Sequence, residues 1–278
     1  MKRTLAIFTF LVLTFFQMKA QQQPTGHFAT VNGLKMYYEI HGSGSPLVLI
    51  HGGGSTIYTT FGRILPELSR NHRVIAVETQ SHGHTADIDR PYSFEQDADD
   101  VAALLGQLNI ARADFMGFSN GGTTCLQIAI RHPQLVNKLV LASTLYKRSG
   151  MPPGFFDMME KATLDQMPTP LQEAYKAINP DPKGLQAMFK RDSERMIAFK
   201  DIPDASIKGI AAPALVIGGD ADAVQPAHAL ELSRTLQHAK LAILPGVHGE
   251  YIAEICAPPK QPGMPAFVVD MIETFLKE

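Results

Sequence analysis

The chain has 278 residues, 45% of them hydrophobic and 19% charged, with a formal net charge of −2. That is enough apolar material for one sizeable core, and α/β domains of this length often form a single unit. A balance so close to neutral lacks the electrostatic footprint of a nucleic-acid partner or an anionic membrane surface.

Residues 1–20 read as a secretory signal peptide. Lys2 and Arg3 open it, Leu5 to Phe16 is almost wholly apolar, and Ala20 precedes Gln21, Gln22 and Gln23. The apolar run falls short of the roughly 20 residues that span a bilayer, and no Cys follows it to carry a lipid. The expectation is a secreted or periplasmic protein with no stable membrane insertion after cleavage; an uncleaved N-terminal anchor is the alternative. An exported chain could pair its two cysteines, Cys125 and Cys256, but Cys125 falls in a buried helical pattern and reads as a buried thiol.

Two strand-like runs come first, His27–Val31 and Lys35–Ile40, joined through Asn32-Gly33, a strong hairpin signal. Six apolar runs follow, each read as a buried strand: Leu47–Ile50, Val74–Val77, Ala113–Phe118, Lys138–Ala142, Ala214–Ile217 and Lys240–Leu244. Helical patterns lie between and after them, at Phe94–Leu108, Gly121–Arg131, Ala227–Leu236 and Ala266–Leu276. Short unbroken apolar strands alternating with helices imply an α/β fold, a parallel sheet covered on both faces. The core is expected over residues 21–146 and 201–278. The interval 147–200 breaks the alternation with prolines (Pro152, Pro153, Pro168, Pro170, Pro180, Pro182) and short helical pieces. Six of the twelve methionines fall there, at 151, 158, 159, 167, 188 and 196, with Phe155, Phe156, Phe189 and Phe199. This composition suits a helical cap whose apolar side chains line a pocket or pack the cap onto the body.

Gly117-Phe118-Ser119-Asn120-Gly121 matches G-x-S-x-G. A serine on a sharp strand-to-helix turn has a strained backbone, and its neighbours two residues away must be small. The motif follows a buried run and opens an apolar helix, as this mechanism requires. A serine hydroxyl needs a base, and in this architecture the acid and then the histidine follow it in the chain. Of ten histidines, His248 fits best, in a Gly246-Val247-His248 loop after the last strand. His228 and His238 read as solvated helix residues. Asp220 and Asp222 both follow the fifth run; Asp222 is the preferred acid and Asp220 the candidate turn holder. His51-Gly52-Gly53-Gly54 supplies a glycine turn, with the backbone N–H groups of Gly53 and Asn120 as oxyanion donors.

On these motifs the chain resembles the α/β-hydrolase superfamily from about Leu34 to its end. The resemblance implies a mostly parallel eight-stranded sheet, a variable cap, and acyl transfer at a Ser119–His248–Asp222 triad with no metal or other cofactor. The apolar cap suggests a small carboxylic ester with a hydrophobic acyl or aryl part, or a related acyl bond; nothing in the residues selects ester over thioester, lactone, amide or a carbon–carbon bond. Glu78-Thr79-Gln80-Ser81-His82-Gly83-His84-Thr85 is similar to the family's D-x-R-G-x-G-x-S turn, with Glu78, Gln80 and Ser81 departing from it. Asn120 stands where many members carry an apolar residue. A serine rather than an aspartate nucleophile points away from the dehalogenase and epoxide hydrolase branches. Three alternatives stay open: acyl transfer or perhydrolysis with the same triad, a binding-only member of the fold, and a metallohydrolase at His82 and His84, whose spacing to Asp87 does not match a metal site.

Overall fold

The computed structural model describes residues 26–278. The signal-peptide expectation for residues 1–20 lies outside the described residues. Among those described, no helix is long and apolar enough to cross a membrane.

Asn32 and Gly33 take φ values of 47° and 83° and turn β1 (His27–Val31) back into β2 (Leu34–His41) as an antiparallel hairpin. Six strands follow: β3 (Ser45–Ile50), β4 (His72–Glu78), β5 (Ala113–Phe118), β6 (Val136–Ala142), β7 (Ala214–Gly219) and β8 (Ala239–Leu244). They form one eight-stranded sheet in the order β1-β2-β4-β3-β5-β6-β7-β8. β2 runs antiparallel to β1 and β4, and all other pairs are parallel.

Alternation along the strands assigns side chains to two cores. Val48 and Ile50 of β3 point to the face packed by α3 (Phe94–Gln107), α4 (Asn120–Arg131) and α9 (Pro226–Thr235). Leu47 and Leu49 point to the face packed by α1 (Ile57–Phe61), α2 (Leu65–Leu68) and α10 (Met264–Lys277). Ser93 starts α3 by accepting the Gln96 N–H at 3.1 Å, and Thr56 and Thr59 form a reciprocal capping box at α1. Between β6 and β7 run α5 (Phe155–Lys161), α6 (Thr169–Ile178), α7 (Pro182–Ala198) and α8 (Asp204–Lys208).

Four sequence expectations need correction. Lys240–Leu244 is an edge strand rather than a buried run: Lys240, Leu241 and Ile243 are exposed, because β8 has a neighbour on one side only. The interval 147–200 holds more than short helical pieces, since α7 is 17 residues long. Pro170 and Pro182 open helices rather than break them, sitting in the first turn where a missing N–H costs nothing. His228 is buried, not solvated; its Nε2 accepts the Tyr146 N–H at 3.1 Å and its ring lies 4.7 Å from that of Tyr146. Cys125 is buried as expected, and both cysteines are free thiols.

Burial pushes the His228 pKa down to about 4. The unfolded chain takes up this proton near 6.5 and the folded chain only near 4, so this contribution to stability is lost as pH falls through that window. Thermal unfolding of His228→Gln should show a shallower loss between pH 6.5 and 4 than the wild type. Parallel curves for the two proteins would contradict the buried neutral imidazole.

Candidate active site

Ser119 sits between the end of β5 and the first residue of α4, at φ 53° and ψ −120°. A non-glycine residue there carries strain of about 1–3 kcal/mol. The chain accepts it because α4 is pressed onto the sheet. A Cβ on Gly121 would collide with the Ile50 carbonyl at the end of β3, and one on Gly117 with the Gly121 carbonyl. A Cβ on Gly122 would strike the Thr144 hydroxyl. The small residues of G-x-S-x-G are thus set by backbone contacts, and the serine caps the strand end with its N–H donated to Ala142 O at 2.8 Å.

Asp222 lies in the loop after β7 and His248 in the loop after β8. His248 Nδ1–H donates to Asp222 Oδ1 at 2.7 Å, which leaves Nε2 as the ring's acceptor. Asp222 is buried and also accepts the N–H groups of Val224 (2.9 Å) and Gly219 (3.2 Å) and the Ser143 hydroxyl. Burial pushes the Asp222 carboxyl up, but the hydrogen bond and charge of His248, with Ser143 and Val224 behind them, hold it below its ordinary value. Asp220 is exposed and accepts the Gly246 N–H at 2.8 Å. It ties the β7 loop to the His248 loop, the turn-holding part anticipated for it. Sequence reading missed Ser143, which sits at φ 48° just past β6 and also bonds the Tyr251 hydroxyl at 2.7 Å. No motif marks it; only the parallel β6–β7 pairing brings it beside Asp222.

Gly53, Asn120, Ser119 and His248 line one cavity of about 570 Å³. Ser119 and His248 make no hydrogen bond to each other among the described residues, a looseness common before substrate engages. The Gly53 and Asn120 N–H groups have no acceptor among the described residues, the state in which a donor pair is available to an oxyanion. The Asn120 side chain lies directly against the space a Gly53 side chain would fill. The opposite wall comes from α5, α6, α7 and their connections. All six methionines of the interval 147–200 line the cavity, with Phe155 and Phe189. Phe156 and Phe199 instead join the apolar contact between this layer and Phe94, Leu145 and Val224.

The departures at residues 78–85 have local compensation. Ser81, at the family's glycine position, keeps a positive φ of 69°. Gln80 Nε2 donates to Asp87 (2.7 Å) and Ile88 O (3.0 Å), and its Oε1 accepts from Arg90 (2.6 Å). Glu78 accepts the His84 N–H at 2.7 Å and meets His84 Nδ1 at 2.9 Å. His82 faces Asp192 of α7 at 2.9 Å, so the two imidazoles of His82-Gly83-His84 serve different carboxylates. Asp192 in turn meets Arg195 at 2.5 Å, and Arg195 meets the buried Asp97 of α3 at 2.6 Å. Sequence reading missed this chain of charges. Asp192 and Arg195 lie among other charges of α7 (Lys183, Lys190, Arg191 and Glu194), so nothing in the sequence singles them out.

The chain belongs to the α/β-hydrolase fold family, whose model matches residues 45–195. It is similar to the 2-hydroxymuconate semialdehyde hydrolase of Pseudomonas sp. (strain CF600), 29% identical over 73% of this chain and 78% of that one. It is also similar to the human serine hydrolase BPHL, 27% identical over 80% of this chain and 79% of that one. An uncharacterized protein of Mycobacterium tuberculosis is 37% identical over 43% of this chain, and the match spans only 35% of that longer relative. A serine hydrolase involved in carbazole degradation shares the fold with a TM-score of 0.75 and 22% identity, over 92% of this chain and 99% of that one.

If Asp222 orients His248, Asp222→Asn should lower turnover by on the order of 10⁴, while Asp220→Asn should leave it within about tenfold. Steady-state rates of the two variants decide this. A severe loss at Asp220 with a mild one at Asp222 would reverse the assignment.

Proposed function

We propose that this protein is a serine hydrolase that cleaves a neutral carboxylic ester, or a related acyl bond, through an acyl-enzyme on Ser119. The observation that carries the reading is the buried Asp222–His248 pair opening into the same cavity as a strained serine at a strand-to-helix turn.

The chemistry follows from the geometry. His248 Nε2 takes the Ser119 proton as Oγ bonds to the carbonyl carbon. Charge gathers on the carbonyl oxygen, and the Gly53 and Asn120 N–H groups receive it. Asp222 stabilises the imidazolium without taking its proton. When the tetrahedral species collapses, the carbon–oxygen bond to the leaving alcohol breaks and His248 Nε2–H protonates that alcohol. Water then repeats the sequence on the acyl group and restores Ser119.

The cavity wall bears on the substrate class. The cavity is lined largely by Met, Phe, Leu and Val side chains, and no Lys or Arg is among the lining residues described. Its one acidic group is Asp192. A substrate carrying a free carboxylate would lose its hydration with no cation to meet it. Neutral apolar acyl groups fit better, and each buried methylene contributes about 0.8 kcal/mol.

Labelling with a fluorophosphonate probe and turnover of p-nitrophenyl esters test the reading. The label should map to Ser119 and vanish in His248→Ala. Ser119→Ala should lose turnover by on the order of 10⁶ with an unchanged melting temperature. From acetyl to octanoyl esters, kcat/KM should rise by up to about fourfold per methylene. A well-folded protein that takes no label and turns over no ester would overturn the proposal.

A further inference from the structure

In the proposed oxyanion turn, Gly52-Gly53-Gly54, the carbonyls of Gly52 and Gly53 meet the neighbouring His51 Nδ1 (2.7 Å) and the Ser55 hydroxyl (3.3 Å), and the N–H groups on either side of Gly53 each reach one acceptor on a helix. The Gly52 N–H donates to the buried Thr60 hydroxyl of α1 at 3.3 Å, an anchor from the core. The Gly54 N–H donates to Asp192 Oδ2 of α7 at 2.5 Å, an anchor from the layer above. Between them, the Gly53 N–H has no acceptor among the described residues. Three successive glycines have little conformational preference of their own, and Gly54 sits at a φ of 65°. External anchors therefore determine where the middle N–H points.

Asp192 is itself fixed on three sides. His82 Nδ1–H donates to the Gln80 carbonyl at 2.8 Å, and its Nε2 lies 2.9 Å from Asp192 Oδ2. Arg195 meets Asp192 Oδ1 at 2.5 Å and Asp97 at 2.6 Å. The Arg195 guanidinium is stacked between Tyr92 and Phe94, 4.2 and 4.4 Å from their ring centres. Burial pulls the His82 pKa down, yet the adjacent Asp192 charge more than offsets it and keeps the ring protonated more readily than usual. With Gly54, His82 and Arg195 on its two oxygens, the carboxylate has little capacity left for a substrate, although it borders the cavity. Beside it on α7, Arg191 pairs with Asp87 at 3.0 Å, so one face of the helix is docked by charge onto the core.

We propose that Asp192 is a positioning residue: it clamps the Gly54 N–H, and so ties the oxyanion turn to the docked state of helix α7. The consequence for rate rests on the serine hydrolase reading; the clamp itself does not. A turn released from Asp192 presents the Gly53 donor in many orientations, and the loss falls on the transition state rather than on substrate binding.

Asp192→Asn tests this in the full chain, with two readouts. Hydrogen exchange of a peptide covering residues 51–56 should rise about tenfold or more, with the peptide covering α4 unchanged. On p-nitrophenyl acetate and octanoate alike, kcat should fall about tenfold or more, with KM within about threefold. A residue that only packs the cap would spare the acetyl ester, whose acyl group is too short to need the cap, and would raise KM for the octanoyl ester. That pattern, with unchanged exchange at the turn, overturns the proposal. If Asp192→Asn does not fold, Asp192→Glu keeps the charge and displaces the acceptor. It should show the same loss of kcat, and wild-type kcat and exchange there would overturn the clamp. Faster exchange at the turn in a protein inactive on every ester would support the clamp and remove the hydrolase reading instead.

Discussion

The close approach of α4 to the ends of β3 and β5 is the constraint on which the site depends. Gly117, Gly121 and Gly122 leave no room for side chains because the Ile50, Gly121 and Thr144 atoms fill those spaces. With the helix seated so low, the chain turns within one residue, and Ser119 takes the strain at φ 53°. Its hydroxyl then stands at the mouth of the sheet, with the helix N-terminus and the Asn120 N–H beside it. Every other functional group arrives at this point from the C-terminal end of a parallel strand: the glycine turn after β3, Asp222 after β7 and His248 after β8. This is where open α/β sheets place their ligands.

The polar part of the site is expensive to bury and is paired accordingly. Asp222 receives donors from His248, Val224, Gly219 and Ser143, which keeps it ionised in a buried setting and fixes the histidine tautomer. Asp220, two residues away and exposed, joins the two loops that carry the pair by accepting the Gly246 N–H. A second buried network runs from His82 through Asp192 and Arg195 to Asp97. Its members come from the turn after β4, from α7 and from α3, so it joins the layer that shapes the cavity to the body that holds Ser119.

The sheet was legible because buried parallel strands are short apolar runs between turn signals, and Ala113–Phe118 was readable to its end residues. The edge strand β8 was misread because its apolar residues resemble a buried run, and sequence does not reveal which strand lacks a neighbour. The sequence places Ser119, Asp222, His248, Gly53 and Asn120 each after a strand in a fixed chain order, and the structure gathers them at one end of the sheet. Ser143, Asp192 and Arg195 were not, since their parts depend on which elements meet in space. His228 was misread for the same reason: a helix face turned toward Tyr146 and Gly150 looks amphipathic in sequence. The sequence left open whether the six methionines of 147–200 line a pocket or pack that interval onto the body; that all six line the cavity is a property of how α5, α6, α7 and their connections are arranged.

A crystal structure of the protein after reaction with a phosphonate ester tests the central account most directly. The account predicts phosphorus bonded to Ser119 Oγ, and one phosphonyl oxygen within about 3 Å of both the Gly53 and Asn120 N–H groups. It also predicts that His248 Nε2 faces the leaving-group side while Nδ1 keeps its bond to Asp222. Adduct formation at another residue, or a phosphonyl oxygen turned to solvent with both N–H groups unengaged, would contradict it.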